Sequence, residues 1–451
     1  MLYPWVLGLL LPLLLAISDG AKNYHDALGK SILFYDAQRS GKLPANNPIP
    51  WRGDSAVNDC VPGGWYDAGD HIKFGLPLSY TVTILGWSLV RYKDGYEEAG
   101  ELDNMYDMIK WAYDYLLKAM GPQQTASDCS VQLTVQVGDG DLDHDFWGRA
   151  EDMTMARPCK VVSTSTKGSD IAGGTGDTSY ANQLLSAAKS LYTFAKSHRG
   201  LFHGSDEFYA SSGDKDDMCE GAIWLYKATN DAQYLTDAKS FVETDTAWAY
   251  EWDDKMVGCQ GDQEQPVQRG CGIVLFTDGW LPSGDIDYTP CGLAWRDKWG
   301  SLGYSGSAAY IALVAADLGI QPAKLRQFAV EQINYILGDN KHDGGCYSYE
   351  IGYGSKYPLR PHHSGASCPN RPASCDFDQL DAPGPNPHVL TGAVVGGPDS
   401  NDNYKDDRND YVQNEVALDY NAGFHAALAG IAHLQSTNQM PTTHNKCPCS
   451  Q

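Results

Sequence analysis

The chain has 451 residues, of which 57 are acidic and 33 basic, for a formal charge of −24. That balance argues against phosphate backbones and anionic membranes as partners and leaves a neutral polysaccharide compatible. A solvated acidic surface accounts for most of the charge, so an individual acid needs more than composition to be singled out.

The first residues, MLYPWVLGLLLPLLLAISDGA, join a weak n-region to an apolar core of about a dozen residues and then small residues, which reads as a secretory signal rather than a span. Cleavage is expected near Ser18 to Gly20, which assigns 1–20 to the signal, 21–437 to one large domain and 438–451 to a short Cys-containing tail. No later stretch reaches the roughly 18 uninterrupted apolar residues of a spanning helix, so a soluble, secreted chain is expected. The 12 cysteines, an even number, suit an oxidising compartment and several disulfides, with Cys368 and Cys375 near enough to close a short loop.

Apolar residues three or four apart predict helices over 21–38, 79–92, 103–120, 178–198, 217–230, 231–243, 304–319, 322–338 and 415–435. Strand-like alternation is sparse, and long Gly/Pro/Asp-rich segments separate the helices. An all-α domain whose loops carry the chemistry follows.

The run WYDAGDHIKF, residues 65–74, places Asp67 and Asp70 on one turn, with Gly69 between them to relieve backbone strain and Trp65, Tyr66 and Phe74 as flat apolar neighbours. Taken locally, this fits a water-holding acid pair, a calcium loop or a capped turn. A distant acid, Glu415, lies in YKDDRNDYVQNEVALDYNA, residues 404–422. The preceding Asp399, Asn401 and Asn403 alternate like EF-hand ligands, but Tyr404 stands where that loop needs glycine and Asp410 where it needs glutamate. Two carboxyl sites far apart in sequence suggest glycoside hydrolysis, in which one group protonates the leaving oxygen and another activates water. In LRPHHSGAS, residues 359–367, the adjacent His362 and His363, beside Arg360, raise a metal site as one reading.

Together these segments resemble glycoside hydrolase family 9 over most of residues 22–435, and within it the animal endoglucanases that lack an appended cellulose-binding module. The second signature matches at Tyr404, Asp406, Tyr411, Glu415, Ala417, Asn421 and Ala422. The resemblance implies an (α/α)6 barrel of twelve helices, with long loops forming an open cleft at one end. It implies a monomeric endo-β-1,4-glucanase that cleaves cellulose-like chains with inversion and binds neither nucleic acid nor membrane. Asp70 looks like the general base, Asp67 its helper in holding water, Glu415 the general acid and Asp406 a support for that acid. Inversion calls for carboxyls roughly 6.5–9.5 Å apart. The acid needs a raised pKa, which its neighbours Val416, Ala417 and Leu418 permit. His362 and Arg360 resemble substrate contacts, and Trp299 resembles a sugar-stacking platform. Tyr411 and Trp252 join the substrate-binding candidates, with Trp248 and Tyr353 behind them.

No cofactor is required for this chemistry. Some family members carry a structural calcium, and Ser212, Gly213, Asp216, Asp217 and Asp253 offer oxygen ligands for one, although the usual acidic pair is Asp-Glu where this chain has Asp216-Asp217. Other departures are Ser364 where arginine is usual, Glu350 where an apolar residue is usual, Gly174 in place of glutamate, and Gly303 and Ser307 in place of arginine and asparagine. Residues 258–272 read as an altered loop with its own Cys pair. These changes are expected near the cleft. They keep open a catalytically weakened glucan-binding homologue and a glucanase acting mainly on mixed-linkage glucan.

Overall fold

The computed structural model describes residues 22–121, 133–162, 178–261 and 271–449. The expected signal segment and Gly174 lie outside the described residues. Helices dominate and form an (α/α)6 barrel, with a three-stranded antiparallel sheet of Lys73–Phe74, Leu133–Val137 and Cys159–Val162 and a pair of two-residue strands, Asp287–Tyr288 and Ala294–Trp295.

All nine expected helices are present, among them Tyr24–Ala37, Gly75–Arg91, Ser301–Asp317 and Leu418–Ser436. The sequence reading missed Lys93–Ala99, Met256–Gly261 and Cys271–Trp280. The first two are too short to show a period, and the third contains a continuous apolar run that reads equally as strand.

Ser301–Asp317 and Leu418–Ser436 are buried on nearly every side, as helices at a barrel's centre must be. Their backbones approach closely through small residues: a Cβ on Gly306 would lie 2.8 Å from Phe424 N, and one on Gly423 only 2.3 Å from Ser307 N. Gly303 belongs to the same seam, since a Cβ there would sit 3.0 Å from Tyr420 Cα. Two of the departures noted above, Gly303 and Ser307, therefore stand where these helices meet beneath the cleft.

Among the described residues, disulfides join Cys60–Cys159, Cys219–Cys259, Cys291–Cys447, Cys346–Cys449 and Cys368–Cys375. The short loop expected at 368–375 is closed. Cys259 bonds Cys219, not the nearby Cys271. Two bridges tie the 438–451 tail to the barrel. No helix among the described residues is long and apolar enough to cross a membrane.

Candidate active site

The Asp67–Asp70 turn is fixed by backbone bonds on three sides. Asp67 N–H donates to Ile72 O at 2.9 Å, Leu418 N–H to Asp67 O at 2.9 Å, and Ser364 N–H to Gly69 O at 2.9 Å. Gly69 is required by this approach rather than by its own backbone angles, because a Cβ there would lie 2.1 Å from His362 O. Ser364 adds its hydroxyl to Gly69 O at 3.0 Å, so the residue found in place of arginine anchors the acid turn. Glu415 follows the single turn Tyr411–Asn414, where its backbone bridges His362 and its carbonyl accepts Gly396 N–H at 2.8 Å.

These contacts bring Asp67, Asp70 and Glu415 to one cavity of about 830 Å³, also lined by Trp252, Trp299, His362 and Tyr411. Asp67 is only 2 % exposed and accepts the Tyr209 hydroxyl on Oδ2, while Oδ1 has no protein partner. Burial first, and Asp70 second, hold its carboxyl well above the usual carboxylate range. Asp70 Oδ2 lies 3.6 Å from His144 Nε2, and this contact raises the imidazole's pKa. Glu415 is pushed up to about 8 by burial and then by Asp70 and Asp419, with a Trp299 hydrogen bond opposing the shift. Glu415 therefore keeps its proton at neutral pH.

His362 rests between Trp147 and Tyr411, with ring centroids 5.0 and 6.0 Å away. Its Nδ1 donates to Arg408 O at 2.7 Å, and burial lowers its pKa, so a neutral ring presents Nε2 as an acceptor. His363 turns away to Gln38 Oε1, 2.9 Å from Nε2, and its Nδ1 accepts Ala366 N–H at 3.0 Å. The adjacent histidines thus do not converge on one ion. Trp299 and Tyr411 stay 43 % and 50 % exposed with ring centroids 5.5 Å apart, a pair of faces open to a sugar.

Other expected site residues lie elsewhere. Asp406 accepts Leu359 N–H and Arg360 N–H at 2.8 and 2.9 Å, which fixes the segment leading to His362 rather than touching Glu415. Arg360 points its guanidinium to Asp407 at 3.5 Å and is not part of the cavity lining. Tyr353 is buried and accepts Asn23 N–H. Glu350 is 0 % exposed, pairs its backbone with Val394 and lies in the interior rather than at the cleft. Trp248 is exposed beside Tyr304 and Arg296 but does not line the cavity.

Nor do the calcium candidates form a cage. Lys255 Nζ lies 2.7 Å from Asp217 Oδ1 and 3.9 Å from Asp216 Oδ2, while Asp253 Oδ1 accepts Ser212 N–H at 2.6 Å. Among the described residues no three His, Cys, Asp or Glu side chains gather as metal ligands. Within the set Ser212, Gly213, Asp216, Asp217 and Asp253, the carboxylates are engaged by Lys255 and by Ser212 N–H.

Sequence reasoning missed Tyr209, His144, Trp147, Glu251 and Asp419, all of which line the cavity. Asp419 was within reach, since it stands four residues after Glu415 in the same signature, and DHDFW announced His144 and Trp147 as an acidic aromatic cluster. Tyr209 and Glu251 carry no local signal.

The Glycosyl hydrolase family 9 model matches residues 24–428. The chain belongs to this family. An endoglucanase of the termite Nasutitermes takasagoensis superposes with a TM-score of 0.85 at 43% identity, covering 92% of this chain and 100% of the termite chain. Cel9M, a cellulase of C. cellulolyticum solved in complex with cellobiose, gives 0.83 at 35% identity over 91% and 99% of the two chains. Endoglucanase B of Cellulomonas fimi is 41% identical over 90% of this chain, which spans only 42% of that relative's length. This family 9 protein is a glycoside hydrolase.

Proposed function

We propose that this hydrolase is a secreted, monomeric endo-β-1,4-glucanase that cuts internal bonds of cellulose-like glucans with inversion. One observation carries the reading: Glu415, its pKa raised by burial, and the Asp67–Asp70 pair line the same aromatic-walled cavity. Glu415 gives its proton to the departing glycosidic oxygen, and Asp70 takes a proton from the water that attacks the anomeric carbon. Asp67, steadied by Tyr209, holds that water through its unpartnered Oδ1. Trp299 and Tyr411 carry sugar rings, and His362 Nε2 accepts a sugar hydroxyl. Neither step requires a cofactor.

NMR of the products released from cellohexaose tests the reading. The α-anomer should appear first and then mutarotate. Initial β-anomer would remove the roles given to Asp70 and Glu415, and no release at all would favour a glucan-binding protein.

A further inference from the structure

The turn that follows the Cys368–Cys375 loop supplies a wall of the cavity that the proposed reaction does not use. Phe377 opens the single turn Phe377–Leu380, lines the cavity together with Leu380, and stays 44 % exposed. A lone exposed aromatic is ordinary on a protein surface, so exposure by itself assigns nothing. The position of this ring assigns more. Ring centroids run from Trp299 to Tyr411 at 5.5 Å, on to His362 at 6.0 Å, to Trp147 at 5.0 Å and to Phe377 at 6.5 Å, and all five side chains line the one cavity. Trp147, inside the row, is only 8 % exposed, whereas both ends are open.

The end at Phe377 is also held still. Arg408, 1 % exposed, donates to Asn386 Oδ1 at 2.6 Å and to the carbonyls of Gln379, Leu380, Ala382 and Gly384 at between 2.7 and 3.1 Å, so its planar guanidinium clamps the turn and the segment after it. On the other flank Arg149 donates to Pro369 O at 3.0 Å and to Ala373 O at 2.7 Å, and Cys368–Cys375 closes the loop. The carbonyl of the same Arg408 accepts His362 Nδ1, and the backbone of His362 bridges Glu415. One residue thus sets both the histidine beside the proposed acid and the turn that carries Phe377.

An aromatic face on a backbone already fixed loses little entropy when a flat apolar ligand settles on it. A β-linked glucosyl ring is such a ligand, since its hydroxyls are equatorial and its two faces carry only C–H groups. From this arrangement, which rests on the endoglucanase reading of the cleft, we propose that Phe377 is a second sugar-stacking platform, at the far end of the ring row from Trp299 and Tyr411, and that the enzyme grips a β-1,4-glucan at both ends of the row. The contact falls on a ring face, away from the reacting oxygen and water. It therefore lowers KM for chains long enough to reach it and biases which bond is placed at Glu415, while the chemical step keeps its rate.

The test compares the wild type, Phe377→Leu and Phe377→Trp on cellohexaose, with thermal unfolding read on the same samples. Leucine keeps apolar bulk against Trp147 and removes the flat face, whereas tryptophan keeps the face. Phe377→Leu should raise KM about threefold to tenfold, the weight of one aromatic contact, while kcat changes by less than about twofold and Tm stays in place. The ratio of cellotetraose to cellotriose among the first products should change as well, and Phe377→Trp should restore both KM and the ratio. A Phe377→Leu enzyme with the wild-type KM and product ratio overturns the inference and spares the endoglucanase reading. An equal loss of kcat in both variants, with a lowered Tm, overturns it too, because the ring would then only support the loop. No cleavage of cellohexaose by the wild type overturns the endoglucanase reading and takes the inference with it.

Discussion

Asp216 and Asp217 open the Lys215–Thr229 helix with the ammonium of Lys255 2.7 Å from Asp217, whereas Asp67, Asp70 and Glu415 face a cavity where no described lysine or arginine reaches them. Both are acidic clusters close to a glycine in sequence, and read there each could pass for a calcium site. Lys255 separates their fates. A carboxylate with an ammonium against it serves the fold, while one buried without a cation keeps its proton or a lone pair with no donor against it and is available for chemistry.

The largest effect that could break this contrast is on turnover. Glu415→Gln should lower kcat on cellohexaose by about 10²–10⁴-fold, the usual weight of a general acid, with little change in thermal stability. In the wild type, kcat/KM should fall as pH rises through about 8, where Glu415 loses its proton. A variant that keeps its rate, or an alkaline limb two units lower, would put Glu415 with the structural acids.

Lys255→Met probes the other cluster. Lys255 is buried with Asp216 and Asp217, so removing its ammonium takes the opposing charge away from two buried acids and should cost about 3–5 kcal/mol in a denaturant titration. If stability were unchanged while kcat collapsed, the two clusters would have to exchange roles.

Glu350 supplies a third condition, a buried carboxyl that serves neither purpose. Neither oxygen has a partner, and burial raises its pKa well above the ordinary value despite Lys30. A raised carboxyl contributes stability below its unfolded pKa and loses that contribution as pH climbs toward the folded value. Glu350→Leu should therefore stabilise by about 1–3 kcal/mol at pH 7, the weight of an unsatisfied buried group, and by less at pH 4. A gain that grows toward acid pH would contradict the assignment.

How much of this could be read from the chain depends on the distance over which a signal acts. Helices with a sustained apolar period were legible, as was each signature segment, because their information lies within one element. The union of Asp67 with Glu415 was legible only by resemblance; physically it rests on Leu418 N–H reaching Asp67 O across the fold. Partners were not legible. Nothing near residue 255 announces that its side chain reaches back to Asp217, and nothing in DHDFW says that His144 approaches Asp70. Gly69 was singled out correctly but for a different reason, since the crowding atom is His362 O, almost three hundred residues away in sequence.

The smallest expected effect concerns metal. A resident calcium held a hundredfold above its dissociation constant would contribute about 2.7 kcal/mol, and stripping it would lower Tm by several degrees. Here the Lys255 ammonium already lies against Asp217, and Asp253 is engaged with Ser212 N–H, so these oxygens are committed within the protein. Chelation should accordingly leave Tm and cellohexaose turnover unchanged, measured by scanning calorimetry and product release in the same buffer. A drop in Tm reversed by added calcium would show that the ion displaces Lys255, and the division between paired structural acids and unpaired catalytic ones would then need a different cause.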